Sequence, residues 1–340
     1  MSGLGRDGGL KVAVLAGGVG GSRFLLGVRS WLRANEPDHE LTAIVNTGDD
    51  MWHVGLRITP DLDTIMYALA GVNDTDRGWG RVGETERVST ELREWGIGWP
   101  WFTLGDLDLG AHITRSALLR DGVPLSQVVE RLTARWPLGS RLIPATDQEA
   151  ETHVVVDDPD APGVSRELHF QEWWTRFRAS LPARAFVSRG IEAARPAAGV
   201  AEALAEADVI LLAPSNPVVS IGTILEVPGM RELLLAATAT IVGVSPIIGG
   251  AVVRGMADAC LDALGIETSA AAVGRLLSTG DNAGLLDGWL VATEDVDAVA
   301  GLEAGGLRTR AVPLWMRDET LSAALAGDAI AFAQELGSDR

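Results

Sequence analysis

The sequence is poor in cysteine and lysine and short of positive charge. Cys260 is the only cysteine among 340 residues. A lone thiol excludes a disulfide framework and a cysteine zinc site, and it fits a reducing compartment. Lys11 is the only lysine, and it precedes the glycine-rich stretch. The Gly-Lys-Ser/Thr ending of a P-loop is therefore excluded. Lysine and arginine number 28 against 46 acidic residues, a formal net charge of −18. Nucleic acid and anionic membrane both require a basic surface, so neither is an expected partner. No apolar run is long enough to cross a bilayer, and residues 1–9 lack the apolar core of a signal peptide. A flexible N-terminal tail over 1–9 and a cytoplasmic location are expected.

What is present is an apolar fraction of 47%, enough for a large core. The length suits one large α/β domain or two smaller ones. The chain is organised around residues 12–23. Residues 12–16 read as a buried strand, Gly17, Gly18, Gly20 and Gly21 as a loop nearly free of side chains, and Ser22 onward as a helix. Strand, glycine loop and helix in that order form a cradle for an anion, closed by backbone N–H groups and the positive end of the helix. Arg23 adds a full charge. The bland reading is a tight turn without a ligand, but four glycines in five residues exceed what a turn needs. The dinucleotide fingerprint Gly-x-Gly-x-x-Gly fails, because Arg23 stands where its third glycine belongs. The pattern points to a nucleotide or diphosphate held by a different grip.

A second strand over 41–45 ends in Asn46-Thr47-Gly48-Asp49-Asp50. Ligands of open α/β sheets collect at the carboxyl ends of strands, so this loop should adjoin the glycines. Asn46 occupies the tip where a nicotinamide-binding domain carries an acid. Asp49 and Asp50 would repel a phosphate unless a cation lay between them. Mg²⁺ binds through one or two carboxylates plus substrate phosphates, so the pair suggests a metal-bridged diphosphate; a solvated acidic turn is the alternative. Pro60-Asp61-Leu62-Asp63-Thr64 opens a helix. A helix cap accounts for one of these aspartates and leaves the other unexplained.

Residues 74–150 show helical segments, loops rich in Gly and Trp, and no clear parallel strand, which predicts an insertion over the sheet edge. Within it Asp108, His112 and Arg115 fall at i, i+4 and i+7, one face of a helix. That stripe contacts an anion or is a hydrogen-bonded surface. Trp79, Trp95, Trp99 and Trp101 wall a flat pocket or pack as singles. Residues 151–157 and 167–170 predict a hairpin, and Gln171 starts a helix. Further strands are predicted at 207–213, 241–244, 286–292 and 309–314. The first two end in Pro214-Ser215-Asn216-Pro217 and Ser245-Pro246-Ile247-Ile248-Gly249-Gly250, stiff turns suited to reading a base or ribose.

Taken together, these motifs resemble the 2-phospho-L-lactate transferase (CofD-type) family, and most closely its actinobacterial phosphoenolpyruvate transferase branch, in biosynthesis of the deazaflavin coenzyme F(420). The resemblance is carried, in order, by the residues from Leu15 to Gly21, Val45 to Asp50, Pro60 to Thr64, Leu104-Gly105-Asp106, His169 to Trp174, Ala213 to Gly222, and Ser245 to Gly249. It spans nearly the whole chain. It implies an α/β fold: a modified Rossmann-like, mostly parallel sheet, here over 10–73 and 201–335. The largely helical insertion over 74–200, with its short hairpin, is then expected to form part of the acceptor pocket. It implies transfer of a phosphoenolpyruvyl or 2-phospho-L-lactyl group from a guanosine diphosphate-type donor to the deazaflavin Fo, with GMP released and Mg²⁺ required.

The resemblance implies metal and deazaflavin contacts at Asp49, Asp50, Asp61 and Asp63, and a further deazaflavin contact at Thr103. With the residue reading beside it, Asp49, Asp50 and Asp61 are expected as metal ligands, Asp49 and Asp63 as catalytic, and Asp63, Thr103 and His112 at the deazaflavin. Gly17, Gly18, Gly20, Gly21, Arg23, Asn46, Ser215, Asn216, Ser245 and Gly249 are assigned to the donor nucleotide. A homodimer is the expected assembly. The chain departs from the family pattern at Leu107, where arginine is usual, at Gly110 and Ala111, and in the placement of His53. Two other readings stand beside this one: a related nucleotide-sugar-binding regulator that performs no turnover, and a nicotinamide oxidoreductase.

Overall fold

A computed structural model describes residues 9–158, 161 and 163–338; the tail expected before Gly9 lies outside them. In chain order the strands are β1 (Lys11–Ala16), β2 (Glu40–Val45), β3 (Met51–His53), β4 (Leu56–Ile58), β5 (Arg141–Pro144), β6 (Glu151–Asp157), β7 (Ser165–His169), β8 (Ala183–Arg189), β9 (Val209–Leu212), β10 (Thr240–Val244), β11 (Ile247–Ile248), β12 (Ala251–Val252), β13 (Gly288–Ala292) and β14 (Arg308–Val312). Seven of them form one sheet in the order β14-β13-β10-β9-β1-β2-β5, every pair parallel. This is a doubly wound arrangement: the strand order reverses direction at β1, and β9 returns on its other side. The crevice between the tips of β1 and β9 is the topological switch point, where such sheets bind ligands.

The sequence builds this sheet by filling both of its faces. Val12, Val14 and Ala16 of β1 and Val209 and Leu211 of β9 enter one apolar layer. Ala13 and Leu15, with Ile210 and Leu212, enter the other. Side chains alternate across a strand, so a strand covered on both sides reads as an unbroken apolar run. The first layer is covered by α1 (Gly18–Asn35), α2 (Pro60–Ala70) and the C-terminal helix Glu319–Ser338. The second is covered by shorter helices, among them Ile221–Glu226 and Met230–Ala236.

Between β4 and β5 run α3 (Arg87–Glu94), α4 (Asp106–Arg120) and α5 (Leu125–Thr133). The mostly parallel α/β fold with a largely helical excursion is thus as expected, with local differences. β5 lies inside the stretch assigned to the insertion, yet it pairs in parallel with β2 as the edge strand of the main sheet. The hairpin expected near 151–170 is a three-stranded antiparallel sheet, β7-β6-β8, with a bulge between Val155 and Val156. The short β3–β4 hairpin was not anticipated. The glycine loop is also tighter than expected. Only Gly17 separates β1 from α1, and Gly18 to Gly21 form the helix's first turn.

That tight junction explains one glycine directly. A Cβ on Gly20 would lie 2.5 Å from the carbonyl oxygen of Pro214, in the loop after β9. A backbone atom cannot swing aside, so the first turn of α1 and the β9 loop would have to separate. We expect Gly20→Ala to destabilise the fold by roughly 1–3 kcal/mol, the usual cost of overpacking a tight contact. Thermal denaturation reads this as a drop of several degrees; a variant melting with the wild type would show that the junction is loose.

Candidate active site

The tips of β1, β2, β9 and β10 open into one cavity of about 850 Å³. On its floor the Ser215 hydroxyl spans the switch point: it accepts from the Gly17 amide at 3.0 Å and donates to the Gly17 carbonyl at 2.7 Å. Gly17 is extended, at φ −150°, and serves as the N-cap of α1 without a side chain to cap with. A Cβ there would meet Asp61 Oδ2 at 2.5 Å. The first-turn amides of α1 have no acceptor within the helix. Gly18 donates to Asp61, and Val19 and Gly20 border the cavity together with Arg23. A helix start with free amides and a nearby guanidinium favours an anion.

Asp49 and Asp61 meet beside this helix start. The Asn46 amide donates to Asp61 Oδ2 at 2.9 Å and lies 3.3 Å from Asp49 Oδ1. The Asn46 carbonyl accepts from the Gly48 amide at 2.8 Å and the Thr223 hydroxyl at 2.7 Å, so the amide has one orientation. Both carboxylates line the cavity and are nearly dry, at 7% and 6% exposure. Burial, with the neighbouring Asp61, pushes the Asp49 carboxyl well above the ordinary range. Burial lifts Asp61 to about 6, against the hydrogen bonds from Asn46 and Gly18. Among the described residues no cationic side chain pairs with either. Two oxygen ligands in a dry cleft, short of compensating charge, fit a hard divalent cation such as Mg²⁺.

Several residues expected at the donor or the metal lie off the cavity wall or are engaged elsewhere. Asp50 is fully buried and does not line the cavity; its nearest cation is Arg57, at 4.0 Å. Neither of its oxygens has a hydrogen-bond partner, and burial drives its carboxyl well above the usual range despite Arg57 and Arg115. Asn46 braces Asp49 and Asp61 from behind and is not on the cavity wall. Gly21 also lies off the wall, and a Cβ there would meet Ser215 Oγ at 2.8 Å, so its small size serves packing. The Gly249 amide is taken by Asp295 at 2.9 Å, outside the cavity. Ser245 and Asn216 reach the cavity, but their side-chain oxygens bind the backbone of Ile247 and of Val218 and Val219.

The opposite wall is made by α2 and α4. Thr59, and neither aspartate, is the N-cap of α2. Asp63 forms an ion pair with Arg115 and accepts from Thr59 Oγ1 at 3.2 Å. Asp108 accepts from the Tyr67 hydroxyl at 2.7 Å. Burial works against ionisation of Asp108, but His112, Tyr67 and Arg115 outweigh it and hold the carboxyl below its usual range. The predicted stripe is therefore real and inward-facing: Asp108, His112 and Arg115 are 7%, 1% and 1% exposed. Asp63, Asp108 and His112 bring ligand atoms within 4.8 Å of one another, close enough to share one ion.

Above them stands an aromatic wall. Trp79, Trp101 and Phe102 line the cavity with Thr103, and Trp99 stacks behind Trp101 at 4.7 Å and 14°. His53 packs under this wall, 4.7 Å from the Trp99 ring. Trp95 is 73% exposed and takes no part. Phe170 and Trp174 form a second stacked pair on the cavity, 6.2 Å apart at 18°. Tyr67, Trp315 and Arg317 also line it and were not foreseen. The signals existed: Tyr67 is one turn beyond Asp63 on α2, and Trp315 follows the tip of β14.

The doubly wound sheet and the acid-lined cavity over its switch point belong to a Rossmann-like enzyme acting on small molecules. Residues 12–304 match the family described as 2-phospho-L-lactate transferase CofD. The chain is 51% identical over 325 residues to the phosphoenolpyruvate transferase of Nocardia farcinica, covering 96% of this chain and 95% of that one. It is 51% identical over 327 residues to the phosphoenolpyruvate transferase of Streptomyces griseus, covering 96% and 99%. A crystal structure of a UPF0052 family protein from Bacillus halodurans shares the fold, with a TM-score of 0.61 at 16% identity over 96% of this chain and 100% of that one. The chain belongs to the 2-phospho-L-lactate transferase CofD family, and it is a transferase. No helix among its described residues is long and apolar enough to cross a membrane.

The buried Asp61 carboxyl has a consequence for stability. Below about pH 4 it is protonated in both the folded and the unfolded chain. Between the ordinary 3.8 and about 6 only the folded chain keeps the proton, and stability falls as pH rises through that window. Asp61→Asn removes the charge and keeps one of the two acceptor oxygens. We expect the metal-free variant to exceed the wild type in stability by roughly 1–3 kcal/mol at pH 7.5 and to converge with it near pH 4. Melting curves at the two pH values measure the gap; an equal gap at both would contradict the burial of this charge.

Proposed function

We propose that the protein transfers a phosphoenolpyruvyl or 2-phospho-L-lactyl group from a guanosine diphosphate-type donor to the deazaflavin Fo; the names of its family and relatives support the transferred group. The products are (dehydro) coenzyme F(420)-0 and GMP. The observation that carries this reading is the single cavity that joins an anion-favouring helix start, an uncompensated carboxylate pair and a flat aromatic wall.

In this reading the diphosphate lies at the first turn of α1, against the Val19 and Gly20 amides and Arg23. The guanosine end extends along the tips of β9 and β10, near Asn216 and Ser245. Asp49 and Asp61 would hold Mg²⁺, which when bound would supply charge neutralisation for the diphosphate. The Asp49–Asp61 pair fits that cation because it lacks any other compensation. The deazaflavin ring lies on the Trp101 and Phe102 wall beside Thr103, within the 74–200 excursion. Its terminal ribityl hydroxyl attacks the phosphorus that carries the lactyl or enolpyruvyl group. The bond from that phosphorus to the bridging oxygen breaks, GMP departs, and the hydroxyl proton passes to Asp63. Arg115 and Thr59 hold Asp63 for this role. Phosphoryl transfer is mostly positioning and charge stabilisation, which is what these groups provide. A homodimer in the cytoplasm remains the proposed setting.

Asp49→Ala should reduce turnover by about 10²-fold or more at ordinary Mg²⁺, the scale for loss of one charge-stabilising group. It should not lower the melting temperature, since it removes one of two repelling buried carboxylates. Mass spectrometry of the product formed from Fo with each donor supplies the assay and identifies the donor; full turnover by Asp49→Ala would remove the metal role.

A further inference from the structure

The wall formed by Asp63, Asp108 and His112 carries one buried ring nitrogen with no assigned work. Its three ligand atoms are close enough for a metal ion, but the hydrogen bonds beneath them decide otherwise. Arg115 Nη1 lies 2.9 Å from His112 Nδ1. A guanidinium nitrogen only donates, so Nδ1 must present its lone pair to Arg115. Arg115 cannot turn away. The same Nη1 donates to the Arg57 carbonyl at 3.1 Å, Nη2 is paired with Asp63, and the side chain is 1% exposed. A neutral imidazole that accepts at Nδ1 carries its proton on Nε2. That nitrogen then has no lone pair for a metal.

His112 borders the cavity, and its Nε2 is buried with no hydrogen-bond partner among the described residues. Asp108 Oδ2 stands 3.3 Å from it, while Asp108 Oδ1 is held by Tyr67. The wall therefore offers an N–H donor and a carboxylate acceptor side by side. The charges agree: Asp63 has Arg115, and Asp49 and Asp61 have no cation.

We infer that Asp108 and His112 form a hydroxyl-binding subsite, in which His112 Nε2–H donates to, and Asp108 accepts from, one non-reacting hydroxyl of the acceptor's polyol chain. Arg115 is the positioning residue that fixes the ring's tautomer. An alcohol both donates and accepts, so this pair satisfies it completely. The acceptor's identity rests on the function proposed above; the tautomer does not.

The test begins with ¹⁵N NMR of the histidine-labelled, ligand-free protein. The His112 signals are identified among the five histidines by their loss in His112→Asn. An unprotonated Nδ1 with a protonated Nε2 is expected, and a protonated Nδ1 would overturn the inference. His112→Asn and, as a second variant, Asp108→Asn should raise KM for Fo about 10-fold or more, the scale of a lost hydrogen bond to a buried or charged group. The kcat and the Mg²⁺ concentration for half-maximal rate should move little. A comparable shift in the Mg²⁺ requirement with KM for Fo unchanged would make the cluster a metal site and end the proposal. Wild-type protein that does not turn over Fo would refute the acceptor assignment instead, and the ring's tautomer would still decide between a donor and a metal ligand.

Discussion

The side-chain amide of Asn46 holds the site together. Its nitrogen serves Asp61, Asp49 and the Val219 carbonyl, and its oxygen takes the Thr223 hydroxyl and the Gly48 amide. Reversing the amide would turn a carbonyl onto two carboxylates, so the network admits one arrangement. It ties the tip of β2 to the start of α2 and to the segment that follows β9. Two buried carboxylates would otherwise repel one another and separate. The amide places both at the same face of the cavity, next to the first turn of α1, without neutralising either.

The sheet was legible because its strands are covered on both faces. The runs at 12–16 and 209–212 are continuous and apolar, and the polar turns after them marked the ligand-binding edge. β5 escaped notice because it is only four residues long and ends in Pro144, a residue an edge strand tolerates and a central strand does not. The β3–β4 hairpin turns at Val54 and Gly55, and Val54 adopts a left-handed φ of 46° that no sequence signal announces.

The site was legible at the level of loops and less so at the level of atoms. The strand-tip rule brought out Asp49, Ser215 and Ser245, all of which reach the cavity. Adjacent side chains leave the backbone in different directions, so Asp49 faces the cavity and Asp50 faces the interior. Ser215, Asn216 and Ser245 looked like ligand contacts by type, yet their oxygens bind the turns that contain them, as short polar side chains tend to do. The inward face of α4 was visible as a period, but its partners on α2 depend on tertiary packing and could not be read from spacing.

The cavity sets guanidiniums beside the carboxylates Asp49, Asp61, Asp63 and Asp108 in a chain of negative net charge. The sequence carries a net charge of −18, while Arg23, Arg178, Arg254 and Arg317 all border the cavity. An anionic ligand therefore crosses a repulsive field before it reaches the guanidiniums. At physiological ionic strength that field decays over about 8 Å, and dilute buffer extends it. Capture of the ligand should quicken as salt is added, while its grip inside the cavity weakens. Arrival and retention in this enzyme respond to ionic strength in opposite directions.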